Sequence, residues 1–268
     1  LACTAACAKL LRLDEHQTIM ALGMAGSMSS GLIHNFGTMT KPLHAGLVGR
    51  DGVTAVQLAQ MGLTAGEQGI EHPFGFANVV LGEGIYDLDR MADNMGKPFR
   101  TQDALMIKKY PCCGSAHLAL DATTALQQQA ALDAANIERI EVRVDFDPPR
   151  SLIHSRPKEG LEGKFSMQYC LAAELLDGRV GMSTFTDEQV MRPEAQELIP
   201  KIEMKRHAGF EGQTSWTEAY NEVETHLKDG RVLTQRADRP TTGSLRGATS
   251  AELRIKVLDP AAAAPTSE

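Results

Sequence analysis

Apolar side chains recur at helical spacing through the first hundred residues of the chain. Residues 1 to 12 are rich in alanine and leucine, and Asp14 stands where it can cap the helix that follows. Pro42 lies in the first turn of a later apolar segment, and Gly62 ends it. This part of the sequence therefore predicts an all-helical structure. The predicted helices cover residues 1 to 12, about 15 to 29, 42 to 62 and parts of 76 to 93.

The pattern changes after Pro98, where helical spacing is mixed with strict alternation. Residues 137 to 145 alternate apolar and charged side chains, which is typical of a strand with one buried face. Asp229 and Gly230 predict a hairpin turn between two further alternating segments. The sequence therefore predicts an α+β unit over about residues 104 to 240. Its other strands are predicted at 201–206, 222–227 and 232–236, its helices at 117–131, 165–176 and 187–199, and an extended segment at 108–111; a last helix is predicted at 250–258.

Length and composition indicate a globular protein with one large domain or two ordinary ones. The chain has 268 residues, of which 43% are hydrophobic and 23% charged. No apolar run approaches the roughly 20 residues needed to cross a bilayer, so we expect no membrane partner. The net charge of −7 argues against general nucleic-acid binding. An anionic ligand would need a locally cationic pocket on such a protein.

The five cysteines indicate free thiols in a reducing compartment, and we expect the protein in the cytoplasm. Cys112 and Cys113 are adjacent, and no two cysteines have the CxxC spacing. The N-terminal sequence LACTAAC lacks the basic region of a signal peptide. It begins like the interior of a helix and without a methionine, so we expect a fragment of a longer protein.

Side chains suited to acid–base chemistry gather in three segments, the first of which is GTMTKPLHAG at residues 37 to 46. It places Lys41 and His44 three residues apart. Lysine is a strong donor to a carboxylate, and histidine titrates near neutral pH. The alternative for both side chains is a solvated or locally packed position.

The second segment, IKKYPCCGSAH at residues 107 to 117, offers Lys108 and His117. In an extended segment Lys109 would face away from Lys108, because neighbouring side chains point to opposite sides. His117 stands at the start of a predicted helix, either as a site residue or as a packing residue. A reactive Cys112 thiol is the weaker interpretation, because the sequence identifies no cation beside it.

The third segment, KFSMQYC at residues 164 to 170, contains Lys164 and Tyr169. The phenol of Tyr169 can donate to an oxyanion or carry a proton. A tyrosine on an apolar helix is otherwise a core residue. Lys164 is either an anion contact or a solvated lysine near the start of a helix.

These three segments, in this order and at this spacing, resemble the MmgE/PrpD family over nearly the whole chain, from Leu1 to about Val257. The family includes 2-methylcitrate dehydratases, cis-aconitate decarboxylases and an iminodisuccinate epimerase. The resemblance implies an all-helical domain and a smaller α+β lid domain, with the site in the cleft between them. We expect a homodimer. The predicted boundaries assign residues 1–103 to part of the helical domain and residues 104–246 to the lid domain. Residues 247–268 are assigned to the start of a return to the helical domain and a tail.

The resemblance also implies roles for single residues. Lys41 matches the lysine of the family's K-x-x-H motif as a carboxylate anchor, with His44 three residues later. Lys108 matches a cleft-facing lysine, and Tyr169 matches the tyrosine of the F-S-x-Q-Y pattern. Cys113 stands where some members have a histidine, which argues against decarboxylation of the cis-aconitate type. We therefore predict catalytic roles for Lys108, Tyr169 and His117, and substrate binding by Lys41, His44, Cys113 and Lys164.

Together these residues predict a lyase that needs no cofactor. Removing a proton next to a carboxylate requires a base, groups that stabilise the oxyanion and an acid for the leaving group, and lysine, histidine and tyrosine supply all three. The sequence has no metal-ligand cluster, GxGxxG or P-loop. The resemblance implies the activity of a dehydratase (hydro-lyase) on a small di- or tricarboxylate such as 2-methylcitrate. The alternatives are an epimerase or decarboxylase of the same family, a carboxylate-binding or catalytically incomplete fragment, and a structural interaction module.

Overall fold

The computed structural model describes residues 1–93, 95–96, 108–130, 132–208, 220–238 and the single residues 250, 254 and 258. The chain divides into two compact units. Unit 1 comprises Leu1–Asn35 and Met39–Phe99, and unit 2 comprises Phe36–Thr38 and Arg100–Glu268. The helix predicted at 250–258 and the predicted boundaries near 103 and 246 lie outside the described residues, apart from the three single positions.

Unit 1 is helical, as the sequence predicts. Asp14 caps the second helix with a capping box, because its side chain accepts from the Gln17 amide at 2.8 Å and the Gln17 side chain accepts from the Asp14 amide at 3.3 Å. Gly62 follows the third helix with a φ of +89°, a conformation that favours glycine. The helices are α1 (Ala2–Leu10), α2 (Glu15–Met28), α3 (Thr40–Gln60), α4 (Phe76–Leu81) and α5 (Leu88–Ala92), with a 3-10 turn at Ile33–Asn35.

Small side chains let α1, α2 and α3 approach each other closely. A β-carbon on Gly52 of α3 would lie only 2.7 Å from the β-carbon of Cys3 on α1. A larger residue at position 52 would therefore push these helices apart. The buried core of unit 1 consists of Ala8, Met20, Ala21, Met24, Ala25, Ala55, Val56 and Ala59.

A mixed four-stranded sheet forms the centre of unit 2, and the predicted α+β class is confirmed over the described residues. The strands are β1 (Ile137–Val144), β2 (Ile202–Arg206), β3 (Tyr220–Leu227) and β4 (Val232–Asp238), and they lie in the order β2-β1-β3-β4. β1 pairs in parallel with β2 and antiparallel with β3, which forms a hairpin with β4. Gly230 has a φ of +87° in the predicted hairpin turn.

Two longer helices, α6 (His117–Gln129) and α8 (Met167–Asp177), pack against each other and against the sheet. Leu120 of α6 and Leu171 of α8 are fully buried in the core that they share with the strands. Over the described residues, no helix has the length and hydrophobicity that a membrane crossing requires. Shorter helices are α7 (Gly160–Gly163), α9 (Asp187–Met191) and α10 (Pro193–Leu198), with 3-10 turns at Gly114–Ala116, Ala134–Asn136, Met182–Thr184 and Ile199–Lys201.

The structure corrects two local predictions. Residues 187–199 form two helices instead of one, because Arg192 is extended with φ −60° and ψ 140°. A residue before a proline avoids the helical conformation, so Pro193 begins a new helix. Residues 109–111 form bends, so the segment predicted as extended at 108–111 is not a strand.

The face of the sheet opposite the helices carries a network of charged side chains. Arg143 on β1 bonds to Glu141 of the same strand and to Glu222 and Glu224 of β3, at 2.5 to 2.9 Å. Lys205 on β2 pairs with Glu141 at 2.7 Å. Because side chains alternate along a strand, these charges lie on one face while the apolar residues between them face the core.

Residues Phe36 to Thr38 belong to unit 2, although they precede α3 in the chain. His154 Nε2 lies 2.6 Å from the Phe36 carbonyl oxygen, and the Phe36 ring packs against Phe165 with centroids 5.1 Å apart. Gly37 has a φ of +89°, and a β-carbon there would lie 2.4 Å from His154 Nε2. Position 37 therefore requires glycine for two reasons: the backbone φ is positive, and a side chain there would collide with His154.

Candidate functional site

Lys41 and His44 lie in the first turns of α3, in unit 1. Residues three apart on a helix are neighbours on its surface, so the structure brings these two predicted residues together. Lys41 is exposed, whereas His44 is half-buried with its ring against Gly31. The other predicted site residues all belong to unit 2.

Lys108 and Lys109 have different partners. Lys108 Nζ donates to the backbone carbonyl of Cys112 at 2.9 Å, whereas Lys109 Nζ pairs with Asp121 at 2.7 Å. The two side chains point in different directions, as the sequence predicts. The cause is a turn, whereas the prediction assumed an extended segment. Lys108 is thereby held beside Cys112.

The backbone of Cys113 joins the second and third sequence segments. Its amide donates to the carbonyl of Lys164 at 2.9 Å, which places the turn after Lys108 against the start of α8. The Cys113 thiol is 8% exposed and lies 3.2 Å from the Ser151 hydroxyl, which in turn lies 3.2 Å from Ser115 Oγ. Two of the three predicted segments are therefore adjacent within unit 2.

His117 is the first residue of α6. Tyr110 packs against it, and Asp121 holds Tyr110 in place. The Tyr110 ring packs edge-on against its imidazole, with centroids 5.3 Å apart and an interplanar angle of 84°. The Tyr110 hydroxyl donates to Asp121 at 2.8 Å, so the ring is fixed in turn. His117 Nε2 is enclosed and has no hydrogen-bond partner among the described residues.

Lys164 is half-buried and has a lowered pKa. Burial is the first cause, the neighbouring charge of Lys108 adds to it, and Cys112 acts in the opposite direction. Its Nζ lies 5.6 Å from the centre of the Phe185 ring. A lysine with a lowered pKa gives up its proton more readily, so Lys164 is suited to proton transfer as well as to anion binding.

Two thiols complete this group of basic side chains. The neighbouring Cys170 thiol is the first cause that lowers the pKa of Cys112, and His117 and Lys108 lower it further against the effect of burial. Its neighbour Cys112 and burial raise the pKa of Cys170. Cys112 is therefore the thiol that ionises first. We refer to Lys108, Cys112, His117, Lys164 and Cys170 as the thiol–lysine cluster.

Tyr169 lies in the core of unit 2. Its exposed fraction is 0%, and its hydroxyl donates to the Thr184 carbonyl at 2.5 Å. Its ring packs edge-on against Phe185, and a β-carbon on Gly163 would lie 2.9 Å from the tyrosine ring. Burial raises the pKa of the phenol. Proton transfer through Tyr169 would require the bond to Thr184 to break, so its catalytic role stays a prediction.

Unit 1 contains an open cavity of about 890 Å³ that is separate from Lys41 and His44. Its lining comes from α2, the end of α3 and the loop at residues 63–75, and is mostly apolar or glycine. Its polar members are Ser27, Thr64, Glu67, Gln68 and His72. This chemistry suits an apolar group better than a small anion. Within the described ranges, no group of three or more histidine, cysteine or acidic residues could hold a metal ion.

Sequence reasoning missed the pairing of Cys112 with Cys170 and the support of His117 by Tyr110 and Asp121. The first joins segments that are distant in the chain, and the second depends on how the turn at Tyr110 folds back on the start of α6. The only signal available was that Cys170 directly follows Tyr169 at the end of the third segment.

Two family models match the chain. The MmgE/PrpD N-terminal domain matches residues 1–89, and the MmgE/PrpD C-terminal domain matches residues 110–266. The chain therefore belongs to the MmgE/PrpD family, as the three sequence segments predict.

Several curated proteins are similar to this chain, and they are named cis-aconitate decarboxylase. The mouse (Mus musculus) and human (Homo sapiens) proteins are each 30% identical over 241 residues, which covers 87% of this chain and 48% of the relative. The protein of Aspergillus terreus is 27% identical over 248 residues, covering 87% of this chain and 50% of the relative. The chain spans about half the length of these relatives.

Proposed function

We propose that the protein is a lyase for a small di- or tricarboxylate and that the thiol–lysine cluster supplies part of its site. The observation that carries the proposal is the gathering of Lys108, His117 and Lys164 in unit 2 of a protein whose net charge is −7. A carboxylate substrate needs such a local concentration of positive charge. Membership of the family and the names of the similar proteins support a lyase.

The three basic side chains are suited to different tasks. Lys108 is suited to hold a carboxylate through charge-assisted hydrogen bonds. Lys164, with its lowered pKa, and His117, with its unpartnered Nε2, are placed to take and return a proton. Within unit 1, Lys41 and His44 on α3 are also suited to bind a carboxylate.

Decarboxylation is the first candidate reaction, because the similar proteins carry that name. When the bond to the departing carboxyl group breaks, its electron pair is shared with the carboxylate that remains. A lysine beside that carboxylate stabilises the developing charge. A protonated side chain then delivers a proton to the carbon.

Dehydration of a hydroxylated tricarboxylate, such as 2-methylcitrate, is the second candidate. It is favoured by Cys113, which stands where the family resemblance implies a histidine in some members, including those that decarboxylate. This reaction removes a proton next to a carboxylate and expels the hydroxyl group as water. The charge that develops is stabilised by the same cations.

The test is a substrate panel of cis-aconitate, citrate and 2-methylcitrate, with carbon dioxide release and water loss measured separately. We expect Lys108→Met to lower kcat/KM on the best substrate by roughly 10- to 100-fold, since a hydrogen bond to a charged group is worth about 1.5–3 kcal/mol. Lys109→Met is the matched control, because it removes the same charge one residue away, where the lysine pairs with Asp121.

Three results would contradict the proposal. Equal losses in both lysine variants would mean that Lys108 has no special role. Tight binding of all three acids without turnover would support the carboxylate-binding alternative. Deuterium exchange into substrate without carbon dioxide or water release would support an epimerase.

A further inference from the structure

We propose that Glu174 is a buried carboxylic acid whose proton fastens α8 to α6, and that loss of this proton as the pH rises opens the contact between the two helices. Glu174 lies near the end of α8, and its exposed fraction is 2%. This pH-sensitive switch is independent of the proposed lyase activity, because it requires only the fold of unit 2.

The carboxyl group of Glu174 lies among neighbours that do not suit a negative charge. Its Oε1 lies 2.6 Å from the hydroxyl oxygen of Thr124 on α6, whereas its Oε2 is enclosed and has no hydrogen-bond partner among the described residues. Lys109, the cation that acts on it, pairs with Asp121 instead, at 2.7 Å. An ionised carboxylate here would be buried without a counter-ion, which is costly.

The Thr124 hydroxyl indicates where the proton lies. Its oxygen is 3.0 Å from the Leu120 carbonyl oxygen and 2.6 Å from Glu174 Oε1. A hydroxyl group has one hydrogen to donate, and a carbonyl oxygen can only accept. Both contacts are hydrogen bonds only if Thr124 donates to Leu120 and Glu174 donates to Thr124. The carboxyl group of Glu174 therefore carries a hydrogen.

The charges around Glu174 act in the same sense on balance. Burial is the first cause that raises its pKa above the ordinary value of 4.5, and Asp121 of α6 and Asp177 of α8 add to this effect. Thr124, which can turn its hydrogen towards an ionised carboxylate, and Lys109 act in the opposite direction. Folding therefore favours the protonated form.

The charged residues of the other elements that pack on α8 have contacts elsewhere. Glu194 and Glu197 of α10 are exposed. Glu203 and Lys205 of β2 pair with each other at 3.0 Å, on the outer face of the sheet. The remaining basic residues next to α8 are bonded to other groups: Lys201 to the Ile137 carbonyl, Arg192 to Asp177 and Arg206 to Asp147.

The direction of the pH dependence follows from the raised pKa. The folded protein holds this proton more tightly than the unfolded chain does. The stability that the proton contributes is therefore complete below about 4.5 and is lost as the pH rises through the pKa of the folded protein. An ionised Glu174 needs water or a cation beside it, and either requires α6 and α8 to separate.

A second contact between the helices would open with the first. Gln127 Nε2 of α6 donates to the backbone carbonyl oxygens of Glu174 and Leu175, at 3.2 and 3.3 Å. These bonds lie one helical turn beyond Thr124, so separation at Glu174 would lengthen them.

The first experiment compares the urea denaturation of the 268-residue chain and of Glu174→Gln between about pH 5 and about pH 9. Glutamine has the shape of glutamic acid, stays neutral, and can donate to Thr124. We expect the unsubstituted chain to lose stability relative to Glu174→Gln as the pH rises, by roughly 10-fold in the unfolding equilibrium for each unit by which folding raises the pKa. Glu197→Gln, the matched control, removes an exposed carboxylate and should follow the unsubstituted chain.

The second experiment observes the proton and the helix contact by NMR. In a chain with isotope-labelled glutamate carboxyl carbons, we expect one resonance, absent in Glu174→Gln, to titrate at a higher pH than those of the exposed glutamates. Above that pH, nuclear Overhauser contacts between Gln127 and Leu175 should weaken in the unsubstituted chain and persist in Glu174→Gln.

Three results would overturn the proposal. They are a Glu174 resonance that titrates at or below 4.5, an equal pH dependence of stability in the unsubstituted chain and Glu174→Gln, and helix contacts that persist after Glu174 has ionised. If Glu174→Gln does not fold, assignment of the Glu174 resonance through the backbone of the unsubstituted chain decides the matter. None of these measurements depends on whether the proposed lyase activity is found.

Discussion

The Tyr169 hydroxyl already has a partner inside unit 2, the carbonyl oxygen of Thr184. Tyr169→Phe removes the donor and keeps the ring against Phe185. We expect the free energy of unfolding to fall by about 1–3 kcal/mol, since a buried carbonyl group loses its hydrogen bond. If the hydroxyl serves only this bond, turnover per folded molecule should be nearly unchanged. Urea denaturation and initial rates on the best substrate measure the two quantities.

Tyr110→Phe is the comparison for this variant. Its hydroxyl also donates to a neighbour, but that neighbour, Asp121, retains the ion pair with Lys109. A smaller loss of stability is therefore expected. If Tyr169→Phe instead lowered kcat by roughly 100-fold with normal stability, the phenol would serve the reacting oxyanion, as the family resemblance implies.

For single residues, the sequence identifies the type of side chain but not its neighbours. Lysine and histidine suit acid–base chemistry on carboxylates, so the sequence indicates Lys108, His117 and Lys164 as candidates. That Lys164 is half-buried, and so has a lowered pKa, depends on packing that no local pattern records. The contact between Cys112 and Cys170 depends on the same packing.

Among the elements, β1 and β3 are held together on their outer face by Arg143. Arg143→Met leaves Glu141, Glu222 and Glu224 close together without their shared cation. We expect the free energy of unfolding to fall by about 1–3 kcal/mol at low salt, and the loss to shrink in about 1 M salt, where charges are screened within roughly 3 Å. Urea denaturation at both ionic strengths measures this. Arg231→Ala, which removes an exposed pair with Asp229, should change the free energy of unfolding much less.

The same network predicts how acid acts on the sheet. His226 first, and then Arg143, lower the pKa of Glu224, and Lys205 first lowers the pKa of Glu141. A carboxylate whose pKa is lower in the folded state contributes stability above its ordinary value of 4.5, and this contribution is lost as the pH falls below it. Arg143→Met should therefore lose less stability on acidification than the unsubstituted protein. Equal losses would mean that the network contributes little.

Most elements could be predicted because their causes are local. Asp14 caps α2 through its own side chain, and the alternation at 137–145 follows from one buried face. The order β2-β1-β3-β4 could not be predicted, because alternation indicates which side of a strand is buried and not which strand lies beside it. The break at Arg192 was predictable in principle, since Pro193 follows it.

For the whole molecule, unit 1 exposes apolar side chains on and around α4. Phe74 is 87% exposed and Ile85 77%, and Val79 and Val80 are exposed between them. Monomeric proteins rarely leave such patches uncovered. We expect association that increases with concentration, measured by light scattering after gel filtration.

Val79→Ser combined with Ile85→Ser should weaken this association by at least about 10-fold, since burying each aliphatic side chain is worth about 1.5–3 kcal/mol. Met191→Ser, which changes a single exposed residue of unit 2, is the control and should have no effect. A monomer at all concentrations would contradict both this prediction and the expected homodimer.

The family could be predicted at this scale because three segments, spread over more than a hundred residues, keep their order and spacing. The choice between dehydration and decarboxylation could not, because both reactions use the same cations around a carboxylate. The position of Cys113 argued against decarboxylation, whereas the similar proteins are named for it.

The central position of β1 has a consequence for how the chain is made on the ribosome. Val142 of β1 pairs with Met204 on one side and with Val223 on the other. When β1 has been synthesised, β2 and β3 have not. Both edges of β1 therefore stay without a partner strand until many further residues have been added. In unit 1, the described core cluster that joins α1, α2 and α3 has been synthesised by the end of α3. Synthesis therefore leaves one open strand on the nascent chain for a long interval, which is the period in which chaperones recognise a protein.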